Sequence, residues 1–337
     1  MKKVAIIRGD GTGPELVDSM MRVMDADAVS PDIEFVPCEA GDEWWKKHGG
    51  DSLIPEETWD TLNEADACFK GPTTTPGYVG APRSVAVSIR QRFDLYANVR
   101  PIRTFAGAPA PLGDVDFVAV REATEGMYFG KEIEITDDTF LAIRRITTSA
   151  CEKISRYAFE EAKRRGWDIV VGIHKSNILR MTCGAFMDTL RATAEEYPDM
   201  ALWEYHVDNM AQQLVKNPQF FNQKVLVSTN LFMDIISEEC AGLIGSIGLV
   251  YSANIGDDYA MFEPAHGSAP KYKGMDKVNP CATILAGAWM LEYLGETKAA
   301  DKIIRATERT IAEGITTYDL GGDASMSRMT DAIIGYL

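Results

Sequence analysis

Positive charge is scarce in this sequence. Lysine and arginine number 34 against 50 aspartates and glutamates, which gives a net charge of −16. Non-specific binding of nucleic acids depends on basic patches, so this balance argues against a nucleic-acid partner. It leaves room for an enzyme that binds anions, because a few cations gathered in a cleft are enough for that.

Long apolar runs are also missing. A transmembrane helix needs roughly 18 or more consecutive apolar residues, and no stretch approaches this length. The apolar run at residues 4–7 is too short for the core of a secretory signal. The sequence therefore predicts no membrane partner and a cytoplasmic location.

Closely spaced cysteine pairs are absent as well. The six cysteines are widely scattered and none forms a C-x-x-C motif, so no zinc site is expected. Each lies in an apolar or helical context, which predicts buried, reduced thiols and agrees with a cytosolic chain. They are Cys38, Cys68, Cys151, Cys183, Cys240 and Cys281.

The chain does contain enough apolar residues for a large core. Its 337 residues are 46% hydrophobic, which suffices for two lobes. A strand at 4–7, a glycine-rich turn at 9–13 and an amphipathic helix at 15–26 predict an α/β domain. The turn has G-x-G-x-G spacing rather than the dinucleotide fingerprint G-x-G-x-x-G. We interpret it as a tight turn whose backbone approaches a ligand, not as a Rossmann site.

Three arginines occur on three different predicted elements. Arg90 belongs to a helical pattern, Arg100 ends a strand that we expect to stop at Pro101, and Arg121 ends a buried strand. Arginine binds carboxylates through two parallel hydrogen bonds, and a strand end holds it rigidly. If the three converge, they form a clamp for a polycarboxylate. The alternative for each is a surface ion pair.

Acidic and basic groups suited to catalysis follow in the middle of the chain. Asp234 and Glu238 are four residues apart, so they share one helix face and could hold a divalent metal through oxygen atoms. The alternative is a solvated acidic face. Lys175 comes just after a strand, where active groups gather in α/β proteins. The hydroxyls of residues 73–75 follow another strand.

Residues 253–280 keep neither a helical nor a strand period for long. We expect one long loop, and such loops in compact domains are usually functional. His266, Ser268, Lys271 and Tyr272 offer an imidazole, a hydroxyl, a cation and a phenol. This set suits an adenine ribose that bears an extra phosphate. The alternative is an ordinary surface loop.

Seven blocks resemble the β-decarboxylating 3-hydroxyacid dehydrogenases, which comprise isocitrate, 3-isopropylmalate, homoisocitrate and tartrate dehydrogenases. The blocks are residues 9–15, 70–76, 89–101, 121–130, 174–179, 230–248 and 253–285. The resemblance implies an α/β, isopropylmalate dehydrogenase-like, non-Rossmann fold with two lobes. Residues 1–98 and 247–337 would form the large cofactor-binding lobe, and residues 99–246 the small lobe with the dimer interface.

The resemblance also implies roles for individual residues. Substrate binding falls to Ser84, Arg90, Arg100 and Arg121. The catalytic residues are Tyr128, Lys175 and Asp208. The ligands of Mg²⁺ or Mn²⁺ are Asp208, Asp234 and Glu238, with Glu238 replacing the usual aspartate. In the family, Lys175 and Asp208 would cross from the neighbouring subunit, so a homodimer with shared active sites is implied.

For the cofactor, the resemblance points to NADP, with NAD as the alternative. The implied contacts are Thr74, Thr75, Asn177, His266, Gly267, Ser268, Ala269, Lys271, Tyr272, Asn279 and Tyr318. NAD-using relatives usually carry an aspartate where this chain has Lys271 and Tyr272, and a cation with a phenol suits a 2′-phosphate. Gly322 departs from the arginine that NADP-using isocitrate enzymes often carry, so we expect weaker discrimination.

The substrate implied by the resemblance is a small hydroxy-polycarboxylate. Ser84 matches a hydroxyl that binds the distal carboxylate in isocitrate enzymes, but Ala86 replaces their usual asparagine and Val87 is apolar. We rank isocitrate first, oxidised to 2-oxoglutarate and CO₂, then homoisocitrate, then 3-isopropylmalate. A catalytically silent regulatory subunit is a further alternative. Such subunits lose part of the tyrosine, lysine or metal set, which this chain retains.

Overall fold

The computed structural model describes residues 1–337 as twelve β-strands and eleven α-helices. The strands are β1 (Lys2–Ile7), β2 (Ile33–Cys38), β3 (Ala67–Lys70), β4 (Ala97–Arg103), β5 (Asp116–Glu122), β6 (Gly126–Thr136), β7 (Thr139–Arg145), β8 (Ile169–His174), β9 (Ala201–His206), β10 (Val225–Ser228), β11 (Tyr251–Ile255) and β12 (Ala260–Pro264). The helices are α1 (Gly13–Met24), α2 (Asp42–His48), α3 (Glu56–Glu64), α4 (Val85–Arg92), α5 (Thr148–Arg164), α6 (Thr182–Ala194), α7 (Val207–Lys216), α8 (Asn230–Leu243), α9 (Cys281–Tyr293), α10 (Thr297–Ala312) and α11 (Met326–Gly335). Short 3₁₀ turns cover Pro218–Phe221, Ile247–Leu249, Pro270–Tyr272 and Tyr318–Leu320.

Ten strands form one sheet that runs through the molecule in the order β2-β1-β3-β12-β11-β4-β5-β10-β8-β9. The pairing is parallel except at the centre, where β11 is antiparallel to both β12 and β4, and β4 is antiparallel to β5. Strands β6 and β7 form a separate antiparallel hairpin. The α/β class is confirmed. The lobe boundaries at residues 98 and 247 stay a prediction.

Helix α9 lies at the centre of the apolar core. Ten of its 13 residues are buried, so it is apolar on nearly all sides, as a central helix should be. It packs on β11 and β12 and against α10. Gly287 allows α1 to approach closely, because a Cβ there would lie 2.6 Å from the Met20 sulfur. All six cysteines are free and buried, as predicted.

The prediction of one long loop at residues 253–280 is wrong for its first part. Strands β11 and β12 form an antiparallel pair at the middle of the sheet, with Ala253 opposite Phe262. Both faces of this pair are covered, so its residues are almost all buried and show no polar–apolar alternation. That absence of a period misled the sequence interpretation. The irregular segment begins only after Pro264.

Strand β4 also differs from its prediction, because it continues through Pro101 to Arg103. Its neighbour β11 pairs with it only as far as Val99. Beyond that point β4 has a strand neighbour on one side alone, which is a position where proline is tolerated. None of the helices combines the length and the apolar character that crossing a membrane would require.

Candidate active site

Three of the predicted site residues lie where parallel strands of the large sheet end. Arg121 lies near the end of β5, Lys175 directly follows β8, and Asp208 follows β9. Side chains at the carboxyl ends of neighbouring parallel strands face a common crevice in open α/β sheets. Arg100 of β4 reaches this region through its hydrogen bond to Glu238. Arg90 of α4 is connected to this region through Asn254.

The three arginines are buried, and two of them, Arg100 and Arg121, meet the carboxylates of α8. Arg121 contacts Asp234, and Arg100 donates to Glu238 at 2.7 Å. The second guanidinium nitrogen of Arg100 lies 3.9 Å from Asp234. Burial, followed by the charge of the nearby Arg90, lowers the pKa of Arg121 to about 10. The structure therefore brings Arg100 and Arg121 together with Asp234 and Glu238 at α8, and Arg90 lies close enough to Arg121 for its charge to act there.

Glu263 on β12 balances two of the buried cations. Its carboxylate pairs with Lys70 at 2.8 Å and with Arg90 at 3.0 Å, and all three side chains are nearly inaccessible. Burial alone would raise the pKa of Glu263, but the charges of Lys70 and Arg90 outweigh it and lower the pKa to about 2. Asn254 accepts from both Arg90 and Asn98, so the arginines belong to one buried network.

Sequence reasoning missed this network. The signal available for Lys70 was a charged residue ending an apolar strand, and for Glu263 a charge inside the apolar run 259–265. Both are uncommon positions for a buried ion unless it is paired. Asn254 carried no comparable signal, because only the tertiary structure places its amide between Arg90 and Glu263.

Tyr128 on β6 stands over the same cluster. Its hydroxyl donates to Asp234, and the Arg121 guanidinium lies 4.8 Å from the centre of its ring. Burial and the bond to Asp234 raise the pKa of Tyr128. The phenol is therefore protonated at neutral pH, as a proton donor must be.

Lys175 and Asp208 pair with each other rather than with the arginines. The Lys175 Nζ donates to Asp208 at 2.5 Å, and this bond lowers the pKa of the carboxyl group. Asp208 is largely exposed, with 67% of its side chain accessible. Within one chain, no group of three acidic, histidine or cysteine side chains is assembled around a metal position. Asp234 and Glu238 supply oxygen donors of the kind Mg²⁺ prefers, and the third predicted ligand lies apart from them.

Apart from the arginine cluster, a cavity of about 410 Å³ lies beside the segment that follows β12. Its lining includes six of the predicted cofactor residues, which are His266, Gly267, Ala269, Tyr272, Asn279 and Tyr318. The Nε2 atom of His266 is shielded from solvent and has no hydrogen-bond partner, and burial lowers the pKa of this imidazole. A neutral ring with a free nitrogen in a concave site fits a heterocyclic ligand.

At the mouth of this cavity are two lysines and two tyrosines. Lys271 Nζ lies 4.8 Å from the centre of the Tyr272 ring, and Lys277 Nζ lies 4.5 Å from that of Tyr318. The pKa of Tyr272 is lowered. The largest cause is a hydrogen bond with Tyr318, and the next is the positive charge of Lys271. A side chain at Gly322 would overlap the Thr316 carbonyl, so the backbone leaves no room there for an arginine.

The glycine-rich turn packs against the segment that follows β12, and its Thr12 lines the cavity, so the approach of its backbone to a ligand stays a prediction. Gly11 closely approaches the Ser268 carbonyl, and the amide of Thr12 donates to that carbonyl at 2.9 Å. Thr74 joins the same corner, because its hydroxyl lies 2.6 Å from that of Ser268. Thr75 and Asn177 are exposed and do not line the cavity.

Ser84 caps the start of α4, but its hydroxyl makes no capping hydrogen bond. Ala86 and Val87 lie four and three residues before Arg90, so they share its helix face. The side of α4 that looks toward the clamp is therefore small and apolar apart from Ser84. A substrate with a third carboxylate would need a polar surface at this place, and this side of α4 offers only the Ser84 hydroxyl.

Comparison with known proteins assigns the chain to a protein family. The family model described as isocitrate/isopropylmalate dehydrogenase matches residues 3–333. The chain belongs to the isocitrate/isopropylmalate dehydrogenase family. Among its relatives is the 3-isopropylmalate/3-methylmalate dehydrogenase of Methanocaldococcus jannaschii, at 42% identity over 99% of this chain and 98% of the relative. The NADP isocitrate dehydrogenase of Thermus thermophilus is 40% identical over 99% of this chain and 67% of the relative.

A solved structure supports the same assignment. The crystal structure of isocitrate dehydrogenase from Methylococcus capsulatus superposes with a TM-score of 0.94 at 42% identity, covering 100% of this chain and 99% of that chain. The predicted isopropylmalate dehydrogenase-like fold is thereby confirmed. Members of this isocitrate/isopropylmalate dehydrogenase family are NAD(P)-dependent, metal-requiring enzymes that act on small hydroxy acids. The prediction of a decarboxylating dehydrogenase is confirmed at this level.

Proposed function

We propose that the chain catalyses the NADP-dependent oxidative decarboxylation of a 2-hydroxy acid that carries a 3-carboxylate, with isocitrate as the first candidate. The observation that supports this most is the burial of three arginines in one network, with Arg100 and Arg121 on Asp234 and Glu238 and with Arg90 on Glu263. With Lys70, these arginines make four buried cations against the three carboxylates of Asp234, Glu238 and Glu263, so one positive charge is left over for a ligand. They suit a substrate with two or three carboxylates of its own.

In this proposal, the arginines bind and orient the substrate. Their positions are fixed before it arrives, because Arg90 is held by Asn254 and Glu263, and Arg121 by Asn230. Such preorganisation lowers the entropic cost of reaching the reactive geometry. Substrate carboxylates would exchange with the Asp234 and Glu238 carboxylates as partners of Arg121 and Arg100.

Proton transfer falls to two groups. The Lys175–Asp208 pair takes the proton of the substrate hydroxyl while hydride leaves the carbon that bears this hydroxyl. The bond to the 3-carboxylate then breaks, CO₂ departs, and Tyr128 donates a proton to the carbon that keeps the electron pair. A divalent metal held by Asp234, Glu238 and a second subunit's Asp208 would polarise the substrate hydroxyl, and a bound nicotinamide would accept the hydride.

The cofactor proposed is NADP. Two cations and two phenols are presented to an anion by Lys271, Lys277, Tyr272 and Tyr318. The neighbouring carboxylate of Asp319 accepts hydrogen bonds from Ser246 and Asn279. A 2′-phosphate is attracted by these cations and phenols, whereas NAD gains nothing from them. Because Gly322 excludes an arginine, the lysines would carry this discrimination.

We also propose a homodimer with shared sites. In one chain Lys175 and Asp208 do not reach the arginines, so a second subunit has to supply them. Several large apolar side chains are exposed on the β6–β7 hairpin, after Lys175 and on α8: Ile135, Phe140, Leu141, Ile178, Met181 and Ile235. Exposed apolar clusters of this kind mark interaction surfaces. Ile235 is adjacent to Asp234, which connects this surface to the site.

One observation favours a second candidate substrate. The face of α4 formed by Ala86 and Val87 is apolar, and a branched alkyl arm would pack there better than a carboxylate. A 3-alkylmalate such as 3-isopropylmalate is therefore the alternative for the same chemistry. Homoisocitrate comes next, because Ser84 is the one hydroxyl on this face of α4 that could bind the carboxylate of its longer arm.

Steady-state kinetics test the proposal directly. Isocitrate, homoisocitrate and 3-isopropylmalate are each offered with Mg²⁺ and with NADP or NAD, and kcat/KM is compared. The proposal expects turnover that needs the metal and favours NADP. Highest kcat/KM on 3-isopropylmalate would select the second candidate. No turnover on any of the three acids would contradict the proposed function.

A further inference from the structure

Arg144, near the end of β7, contacts the start of α6 and the residue before α8, the helix that carries the proposed metal ligands. Its Nη1 donates to the Thr182 hydroxyl at 2.5 Å and to the Cys183 sulfur at 3.4 Å, both at the start of α6. Its Nη2 donates to the Thr229 hydroxyl at 2.9 Å, directly before α8. One planar guanidinium thus joins the hairpin, α6 and α8.

Each of these contacts leads to the candidate site within one further bond. The amide of Lys175 donates to the same Cys183 sulfur at 3.4 Å. Thr229 is followed by Asn230, whose oxygen accepts from the Arg121 Nε at 2.9 Å. Arg144 therefore stands between the segment that carries Lys175 and the helix that carries the proposed metal ligands.

The hairpin adds a third connection. Strand β7 pairs with β6, and β6 carries Tyr128, so Arg144 sits on the same two-stranded unit as the proposed proton donor. The hairpin is otherwise largely exposed. The Arg144 guanidinium also lies 5.3 Å from the ring centre of Phe232 on α8, which limits its movement.

We propose that Arg144 is a positioning residue that fixes the Lys175 segment, the start of α8 and the Tyr128 hairpin relative to one another. The proposal rests on the proposed function, because it assigns catalytic roles to Lys175 and Tyr128. Arg144 itself touches neither substrate nor cofactor. It acts by holding proton-transfer groups, one of which would serve the neighbouring subunit's site, in one fixed arrangement.

The geometry requires an arginine. Its fork donates simultaneously in two directions, whereas a lysine ammonium is a point charge on a flexible stem. Arg144→Gln should lower kcat by on the order of 10- to 100-fold, the range expected when reacting groups move by about 1 Å. Arg144→Lys should recover little of this loss. The KM for the nicotinamide cofactor should stay unchanged, because the cofactor cavity lies on other elements.

Single-link variants separate the two arms. Cys183→Ala removes the link to Lys175, and Thr229→Val removes the link to α8. Each should lower kcat less than Arg144→Gln does. Adding either to Arg144→Gln should lower kcat little further, because the contact from Arg144 is already lost. Arg156→Gln is the matched control, because Arg156 pairs with Glu196 on the surface and touches neither segment.

Hydrogen exchange supplies a readout that does not depend on turnover. In Arg144→Gln, amides of residues 174–179 and of 229–234 should exchange faster together, while those of α10 keep the wild-type rate. Unchanged exchange in either segment, or a kcat equal to that of Arg156→Gln, would overturn the proposal. A wild-type enzyme inactive on all three acids would instead contradict the proposed function, and the exchange result would still decide whether Arg144 links the segments.

Discussion

At the scale of single residues, Glu263 determines whether the buried cations can stay buried. An ion without a partner in an apolar interior is costly, and Glu263 neutralises Lys70 and Arg90 together. Glu263→Gln should therefore lower the free energy of unfolding at neutral pH by about 3–5 kcal/mol, as expected when one partner of a buried pair is removed. Chemical denaturation measures this.

The pH dependence of that stabilisation follows from the pKa of Glu263. Its folded value of about 2 lies below its ordinary value, so the stabilisation is complete above about pH 4.3 and is lost as the pH falls toward 2. Wild type should lose about 3 kcal/mol from this group across that window, and Glu263→Gln should not. Glu64→Gln, which breaks an exposed pair with Lys3, is the control. An identical acid profile for wild type and Glu263→Gln would contradict this.

Cofactor choice is also decided by single residues. Replacing Lys271 by Asp and Tyr272 by Ile places a negative charge where the 2′-phosphate would bind, so the ratio of kcat/KM for NADP over NAD should fall by at least about 100-fold. Lys273→Asp is the matched control, because Lys273 pairs with Glu43 away from the cavity. An unchanged ratio would show that the 2′-phosphate binds elsewhere.

At the scale of elements, α4 sets the length and polarity of the substrate arm. Ala86→Asn adds an amide on the helix face that carries Arg90. The ratio of kcat/KM for isocitrate over 3-isopropylmalate should rise by on the order of 10-fold, because a polar arm gains a hydrogen bond and an alkyl arm loses its apolar surface. Ser88→Asn, two positions further along the helix, points elsewhere and serves as control. Equal ratios in both variants would remove α4 from substrate selection.

Elements also show where sequence interpretation succeeds. The strand that leads to Arg121 and the helix that carries Asp234 and Glu238 followed from runs of apolar residues and their spacing. Strands β11 and β12 did not, because strands covered on both faces lose the alternation that identifies them. The partners of the arginines were equally hidden. Asn254 faces Arg90 from 164 positions away in sequence, and only the folded sheet brings them together.

At the scale of the whole molecule, the proposed site is divided between two regions of each chain. Tyr128 and the arginines surround Asp234, whereas Lys175 and Asp208 form their own pair. Resemblance between sequences predicted this division, and the roles of the residues stay predictions until a second subunit is tested. The exposed apolar side chains beside both regions suit a two-fold interface, in which each subunit completes the other's site.

Complementation between two inactive variants tests this central claim most directly. Tyr128→Phe and Lys175→Met are each purified, shown to be nearly inactive, and then mixed, unfolded and refolded together. In a mixed dimer with shared sites, one site carries both substitutions and the other carries neither. Random pairing should therefore restore about a quarter of wild-type activity. Sites built within single chains would leave every site damaged, and a mixture as inactive as its components would contradict the account.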